Sequence, residues 1–507
     1  MATPLGAALV SMDSAGRLKY TPDAQGNVIP DFSHCGYAAG EKKIPVAAVK
    51  ISVTPPIGDA GAVIQEAIDK VSAMPLDENG LRGAVLLRAG KYEIGGTVKI
   101  RTGGVVLRGE GNSTILFASG KSSRALIEVD TAPGAPAGTQ IKVRAIIDDF
   151  VPLGARSFRV ASVLDIKVGC VLNVERLGNK EWISTIGMDR IPARSDGRIT
   201  TNWGPFALSF NRVVTAVDAA KNKITVDAPL GCAIEKQWGG GRVSGRELET
   251  RNQNIGIERM RMESAFDPMV KAKIDGTDYF ADEDHCSTFV VFKSVINSWA
   301  RDLVMANSVQ GISISGSKWI TMRDCRIESF VSQITGGRRY CFTVNGQLCL
   351  VLRCDVNEGR HAYIVGSRVA GPNAFVFCTT GKKSYASSEP HHLWSVAGLY
   401  DNVEGSIAFQ NRLNMGSGHG WSGANYVAWN CRGDLVCQNP PTAQNYSFGH
   451  VGAKSQGSFA RTPAQALEWG IKDGYWESAG KPMEPKSLYL QQLKDRLGAA
   501  ALENLEL

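Results

Sequence analysis

From about residue 250 to 450 the chain is a succession of short β-branched and aromatic runs separated by Gly-, Asn- and Asp-containing turns. NIGIERMRMESA, FVVFKSVINSWARDLVMANS, GISISGSKWITMRDCRIES, LCLVLRCDVNEG, NAFVFCTTGK, LYDNVEGSIAFQNRL and NYVAWNCRG follow one another. These are strand patterns, and polar residues in them alternate as one exposed sheet face requires. Landmarks return at intervals, as in Cys325, Cys354 and Cys378, or Asn402 and Asn430. A period of roughly 20 to 30 residues with stacked apolar positions is the signature of a solenoid. The expected architecture is all-β, its longer loops gathered on one side to build a groove.

The flanking sequence divides further. Residues 1–44, with DFSHCGY and GEKKIP, read as an extended N-terminal segment laid on another surface. Residues 45–134 begin the solenoid. Gly58-Asp59 precedes AGAVIQEAIDKVSAM, where Ala62, Ile64, Ala67, Ile68 and Val71 fall at helical spacing and Asp59 is the expected N-cap. Residues 135–245 interrupt the repeat. FRVASVLDIKVGCVLNVERL and RVVTAVDAAKNKITVDAPL read as antiparallel hairpins, with a turn at Asn222, forming a β insertion. The main helix with the groove then occupies 246–455, and 456–507 is a helical tail. Its patterns are TPAQALEWGIKDG and SLYLQQLKDRLGAAALENL, the latter with Leu488, Leu490, Leu493 and Leu497 on one face, expected to pack on the solenoid's end or edge.

The helix after the GD turn, followed by VLLRAGKYEI and VVLRGEGNSTI, resembles the N-terminal start of the pectate-lyase-like right-handed parallel β-helices. The resemblance implies a right-handed parallel β-helix whose capping helix plugs the open end. SQITGGRRY, NGQLCL, EGRH, GSRVAGPN, PHHLW, GSGHGW and the closing GYWESAGKPMEPKSLYLQQLKDRLG extend the resemblance over 320–500, to bacterial members associated with polysaccharide breakdown.

Chemistry concentrates in the late coils, where five of the seven histidines fall between His361 and His450. Histidine is the usual proton-transfer residue near neutral pH, and arginine is a permanent cation suited to carboxylates and sulfates. Arg339 and Arg360 stand one rung apart, so GGRRY and EGRHAY would lie side by side, with EPHHLW a longer rung beyond. Read singly, GGRRY is also a surface turn and each histidine a packed residue. Together they form a catalytic set: Arg339 or Arg360 for a carboxylate, His361 or His392 as base, Tyr340 or His391 as acid. Arg338, Asn345, Tyr363, Arg368, Trp394, His419 and Trp421 are the substrate-binding candidates, although the glycines around His419 would equally make a turn.

The expectation is a polysaccharide lyase cleaving a uronic-acid-containing acidic polysaccharide by β-elimination. The alternatives are a glycoside hydrolase, using two of Glu358, Glu389, Asp355 and Asp401, and a non-catalytic carbohydrate-binding or tailspike-like protein. No metal ligand set and no cofactor is expected. Pectate lyases often use Ca²⁺, and the run Asp282-Glu283-Asp284-His285 offers oxygen ligands, but it also reads as a solvated loop. A net charge of +7 suits approach to a polyanion and is too dilute for a nucleic-acid-binding tail. No apolar run nears the about 18 residues of a membrane span. The eleven cysteines lack zinc-type spacing and read as small buried apolar residues. The start, Met-Ala-Thr-Pro, has no signal-peptide pattern, so a periplasmic or secreted location requires a leader already removed, the other reading being cytoplasmic. The oligomeric state is left open.

Overall fold

The computed structural model describes residues 8–131, 138–381, 383–457 and 470–507. Its frame is a parallel β-helix. One ladder runs in unbroken register through Val49, Ala84, Val106, Gly256, Trp299, Thr321, Leu350, Ala374, Leu399, Val427, Tyr446 and Tyr475. A second ladder passes through Gly90–Ile94, the later halves of Val105–Ala118, Gly256–Ser264 and Ile296–Ser308, and then Arg326–Phe330. A third runs through Val98–Ile100, Ala125–Asp130, Thr288–Lys293, the start of Gln310–Arg323, Tyr340–Gln347, His361–Val365 and Glu389–Pro390.

One corner repeats with little variation. The residue following the first ladder is left-handed in nine successive coils: Arg259, Asp302, Asp324, Arg353, Phe377, Asn402, Asn430, Gly449 and Ser478. Asn, Asp and Gly tolerate this conformation and supply five of the nine; the others adopt it because the ladders on either side fix the turn. The column explains the recurrence of Asn402 and Asn430. Just past the corner, Cys325, Cys354, Cys378 and Cys431 point inward, each thiol directed at a carbonyl of the preceding coil. All eleven cysteines are buried and unpaired. Aromatic rings stack along the core, as in Phe342 on Tyr363 and Phe375 on Tyr400.

The helix Gly61–Ser72 caps the first coils and buries Ile64, Ala67, Ile68 and Val71. Ala62 is exposed, and the N-cap is Ala60; Asp59 instead accepts from the Gly61 N–H. Residues 140–246 leave the solenoid to form a six-stranded sheet of antiparallel pairs, whose hairpin turns at Asn222. This insertion shares a core with the late coils: Trp182, Trp203 and Phe210 pack with Trp394, Val396 and Trp421. Lys318 and Asp227 pair beneath it at 2.9 Å, and Arg212 donates to the Gly371 carbonyl.

The N-terminal segment lies on the first ladder, where Gly36 donates to the Leu348 carbonyl and Tyr37 to Thr321 Oγ1. The helix Leu488–Leu497 clamps it, through Gln492 Oε1 to Phe32 N and Tyr489 OH to the Cys35 carbonyl. Asp401 holds that helix in turn, accepting from Ser487 Oγ and Tyr489 N. The tail thus packs on a face of the solenoid. The helical reading of TPAQALEWGIKDG falls largely on 458–469, outside the described residues. Among the described residues no helix is long and apolar enough to cross a membrane.

Candidate active site

The third ladder forms the floor of a groove, and Ala207 and Ser209 of the insertion form one wall. A cavity of about 750 Å³ lies there, floored by Gln310, Ser313, Ser315, Thr343 and Asn345 and bounded by Tyr340, Arg368, His391 and His392. A second cleft of about 490 Å³ lies on the far side, lined by Arg360, His361, Glu389, Gln410 and Arg412. The ridge between them carries the charged and titratable groups.

Register brings the ridge together. Tyr340 pairs directly with His361 on the adjacent strand, and Glu389 lies on the next. The chain then turns, and His391 meets both. Its Nε2 is 3.0 Å from the Tyr340 hydroxyl, and its Nδ1 is 3.0 Å from Glu389 Oε1. The loop after Phe409 returns Arg412 to the same point. Its Nη1 lies 2.8 Å from Glu389 Oε1, 2.7 Å from His391 Nδ1 and 2.7 Å from the His391 carbonyl. Glycines close this loop. Gly418 and Gly420 have φ of 100° and 56°, and a Cβ on Gly420 would meet Met188 Sδ of the insertion at 2.3 Å. His419, on the loop, stacks on His392 with centroids 4.9 Å apart.

His391 Nδ1 thus sits between an acceptor, Glu389, and a donor, Arg412. With the proton on Nδ1, the ring donates to Glu389 and Nε2 accepts from Tyr340. With the proton on Nε2, Arg412 donates to Nδ1 and the ring donates to the phenol oxygen. Both tautomers are hydrogen-bonded, so either Tyr340 or His391 can be the donor in the contact between them.

Burial keeps the four histidines neutral. It lowers His391 well below the usual range, assisted by the Arg412 charge. It brings His361 to about 3, His392 to about 4 and His419 to about 3. Burial also raises the Tyr340 phenol, against the pull of Arg360. His361 Nδ1 faces the Ser387 carbonyl at 2.7 Å, which only accepts, so this nitrogen carries the proton. His361 Nε2 and His392 Nδ1 are buried without a hydrogen-bond partner among the described residues.

His361, Glu389 and His391 bring three potential ligand atoms within 4.8 Å of one another. The set does not fit Ca²⁺, which takes oxygen ligands. Nor does it stand ready for zinc: His361 Nδ1 donates to a carbonyl, and the Arg412 guanidinium already occupies the cation's place against Glu389 and His391.

Of the sequence candidates, Tyr340, Arg360, His361, His391, His392 and His419 converge here, and Arg368 and Asn345 line the larger cavity. Five candidates lie elsewhere. Arg339 is buried, donates to the Ser332 carbonyl and lies near Tyr279 and Tyr385, because its left-handed φ of 56° turns it away just before the strand. Arg338 forms a two-pronged ion pair with Glu283. Tyr363 is a core residue whose hydroxyl donates to the Cys354 and Thr379 carbonyls. Trp394 and Trp421, 3% and 1% exposed, lie beneath the insertion. In the acidic run, Asp282 accepts from the Asp267 and Asp284 amides, and His285 contacts Ser264 Oγ. Sequence reasoning missed Arg412 and Gln410, whose signal is the QNR that follows the IAF strand one coil after Glu389.

No family model and no curated protein matches the chain. Solved structures similar to it include the tailspike protein gp49 from Pseudomonas phage LKA1, at 14% identity, covering 77% of this chain and 55% of that one, with a TM-score of 0.44. The gp54 tailspike of Acinetobacter baumannii bacteriophage AP22, in complex with capsular saccharide, is 11% identical, covering 79% and 56%, with a TM-score of 0.41. A pectin methylesterase in complex with a hexasaccharide is 13% identical, covering 83% and 96%, with a TM-score of 0.31. The chain spans little more than half the length of the two tailspikes. These are likenesses of fold.

Proposed function

We propose that this protein is a polysaccharide lyase that cleaves a uronic-acid-containing acidic polysaccharide by β-elimination. The observation that carries the reading is the Tyr340–His391 hydrogen bond on the ridge beside the groove, backed by Glu389 and Arg412. Arg360, its guanidinium carbon 5.9 Å from the Tyr340 ring centre, neutralises the C6 carboxylate, where enolate-like charge develops. Neutral His391 donates its Nε2–H to the Tyr340 oxygen, and the neighbouring Arg360 charge favours the phenolate, which is the form that acts. The phenolate removes the C5 proton, C5 shares the released electron pair with C4 in a new double bond, and the C4–O4 bond breaks. Tyr340 passes the proton on to O4, which regenerates the phenolate. Arg368 and Asn345 hold neighbouring sugars in the larger cavity. A periplasmic or secreted location accompanies this substrate.

The hydrolase alternative needs two carboxylates facing across one bond. Asp401 caps the C-terminal helix, Asp355 accepts from Thr379 Oγ1 on the second ladder, Glu358 lies near Arg339 and Lys383, and Glu389 is held by Arg412.

The test is ultraviolet absorbance of the unsaturated uronate during incubation with a panel of acidic polysaccharides. Absorbance that rises with the wild type and is lost in Tyr340→Phe and His391→Gln supports the lyase. New reducing ends without unsaturated product, or no cleavage of any uronate polymer, would sink it.

A further inference from the structure

Away from the groove, a partly open cleft of about 220 Å³ lies where the N-terminal segment, the insertion and the late coils meet. Arg176 lines it and is 6% exposed. Its guanidinium carbon stacks 3.8 Å over the Trp182 ring, and its buried Nη1 has no hydrogen-bond partner among the described residues. Asn439 lines the same space, and its Oδ1 is likewise buried without a partner. The nearby carboxylates do not fill the gap. Asp23 accepts from Gln25 N, Asn27 N and Asn27 Nδ2 of its own turn. Glu235 accepts from Gln237 Nε2 and makes no ion pair with Arg176.

A buried guanidinium lacking an acceptor is costly, and buried cations are ordinarily paired. Burial pulls the Arg176 pKa down, against the opposing pull of Cys232 and Glu235. What the cavity offers is a cationic donor edge, one amide acceptor and the indole of Trp394. Its volume is below the roughly 300–1,000 Å³ of drug-sized pockets, so it suits one sugar unit and excludes a polymer. We propose that this cavity is a second ligand site, for a small hydroxylated carboxylate of the size of a single uronate. The carboxylate pairs with Arg176, a hydroxyl donates to Asn439 Oδ1, and the ring's apolar face lies toward Trp394. The site is independent of the reaction in the groove.

The experiment is calorimetric titration of the full chain with D-glucuronate, D-glucose and acetate, repeated on Arg176→Met and Asn439→Ala. Saturable glucuronate binding is expected in the wild type, tighter than that of either glucose or acetate. Arg176→Met weakens it by about tenfold or more, the worth of a lost charge-assisted pair, and leaves polymer cleavage unchanged. Its melting temperature stays level or rises, because an unpaired buried cation has been removed. Should Arg176→Met not fold, Asn439→Ala carries the same expectation through the lost hydroxyl contact. Glucuronate binding that survives unchanged in the folded variants belongs to the groove and overturns the proposal. So does glucose or acetate binding as tight as glucuronate, or a wild type that binds none of the three.

Discussion

Replacing Arg412 with methionine is expected to weaken the fold and shift the pH dependence of catalysis together. Glu389 is 1% exposed, and Arg412 Nη1 is 2.8 Å from its Oε1. Removing one partner of a buried pair costs about 3–5 kcal/mol, mostly the penalty of an uncompensated charge. Ser387 Oγ at 3.1 Å and Gln410 Nε2 at 3.4 Å remain as neutral donors to Glu389, which places the loss near the lower end, about 3 kcal/mol. The kinetic effect follows from the same contact. His391 is depressed first by burial and then by the Arg412 charge, so the substitution removes the second cause. Glu389, 3.0 Å from Nδ1, then favours the imidazolium. Neutral His391 is the active form, so the acid limb of the rate profile moves to higher pH. Urea unfolding and pH–rate profiles of Arg412→Met, Glu389→Gln and the double variant test this. The double variant should be less destabilised than the sum of the singles, with a coupling of about 0.5–3 kcal/mol. Additive free energies, or an acid limb that does not move in Arg412→Met, would refute the reasoning.

Tyr340→Phe should lower kcat by roughly 10²- to 10⁴-fold, with polymer affinity and melting temperature nearly unchanged; steady-state kinetics beside a melting curve check both. His361, His392 and His419 are depressed from 6.5 to about 3–4, so the unfolded chain binds more protons across that window. Their contribution is complete above pH about 6.5 and declines as pH falls toward about 4. Denaturant unfolding over that range should show the slope, and His361→Gln should flatten it. Tyr363→Phe should cost about 1–3 kcal/mol, because the Thr379 carbonyl loses the hydroxyl donor while the Cys354 carbonyl keeps only the Thr379 N–H, and leave turnover intact; a large fall in kcat would return Tyr363 to the site. Trp421→Ala should cost about 3–5 kcal/mol in the same unfolding assay.

The solenoid was readable because its repeat is written in residues whose job is geometric, such as the inward cysteines and the Asn402 and Asn430 corners. The pairing of Tyr340 with His361 was readable from spacing alone, because the coil between them has no inserted loop. Tyr363 was misread because HAYIV is buried along its whole length, so alternation gives no sign of which face is which. Trp394 and Trp421 were misread for a longer-range reason. Their cover comes from Trp182 and Trp203, some two hundred positions earlier, and no local pattern reports that an insertion will fold over them. Arg412 was missed because an arginine in a loop looks solvated until the carboxylate it meets, on another coil, is known.

That covering arrangement also bears on how the molecule comes into being. Residues 140–246 leave the ribosome long before Trp394 and Trp421, the surface on which they finally rest. Domains are made from the N-terminus onward at about 5–20 residues per second. For several seconds the nascent insertion therefore waits with the indole of Trp203 in search of the Gly418 carbonyl it will later donate to. The wall of the groove and the residues that work in it are completed by the same late stretch of synthesis. A chain cut short before Arg412 would keep Tyr340, Glu389 and His391 and lack both the arginine that pairs with them and Trp421, on which the insertion rests.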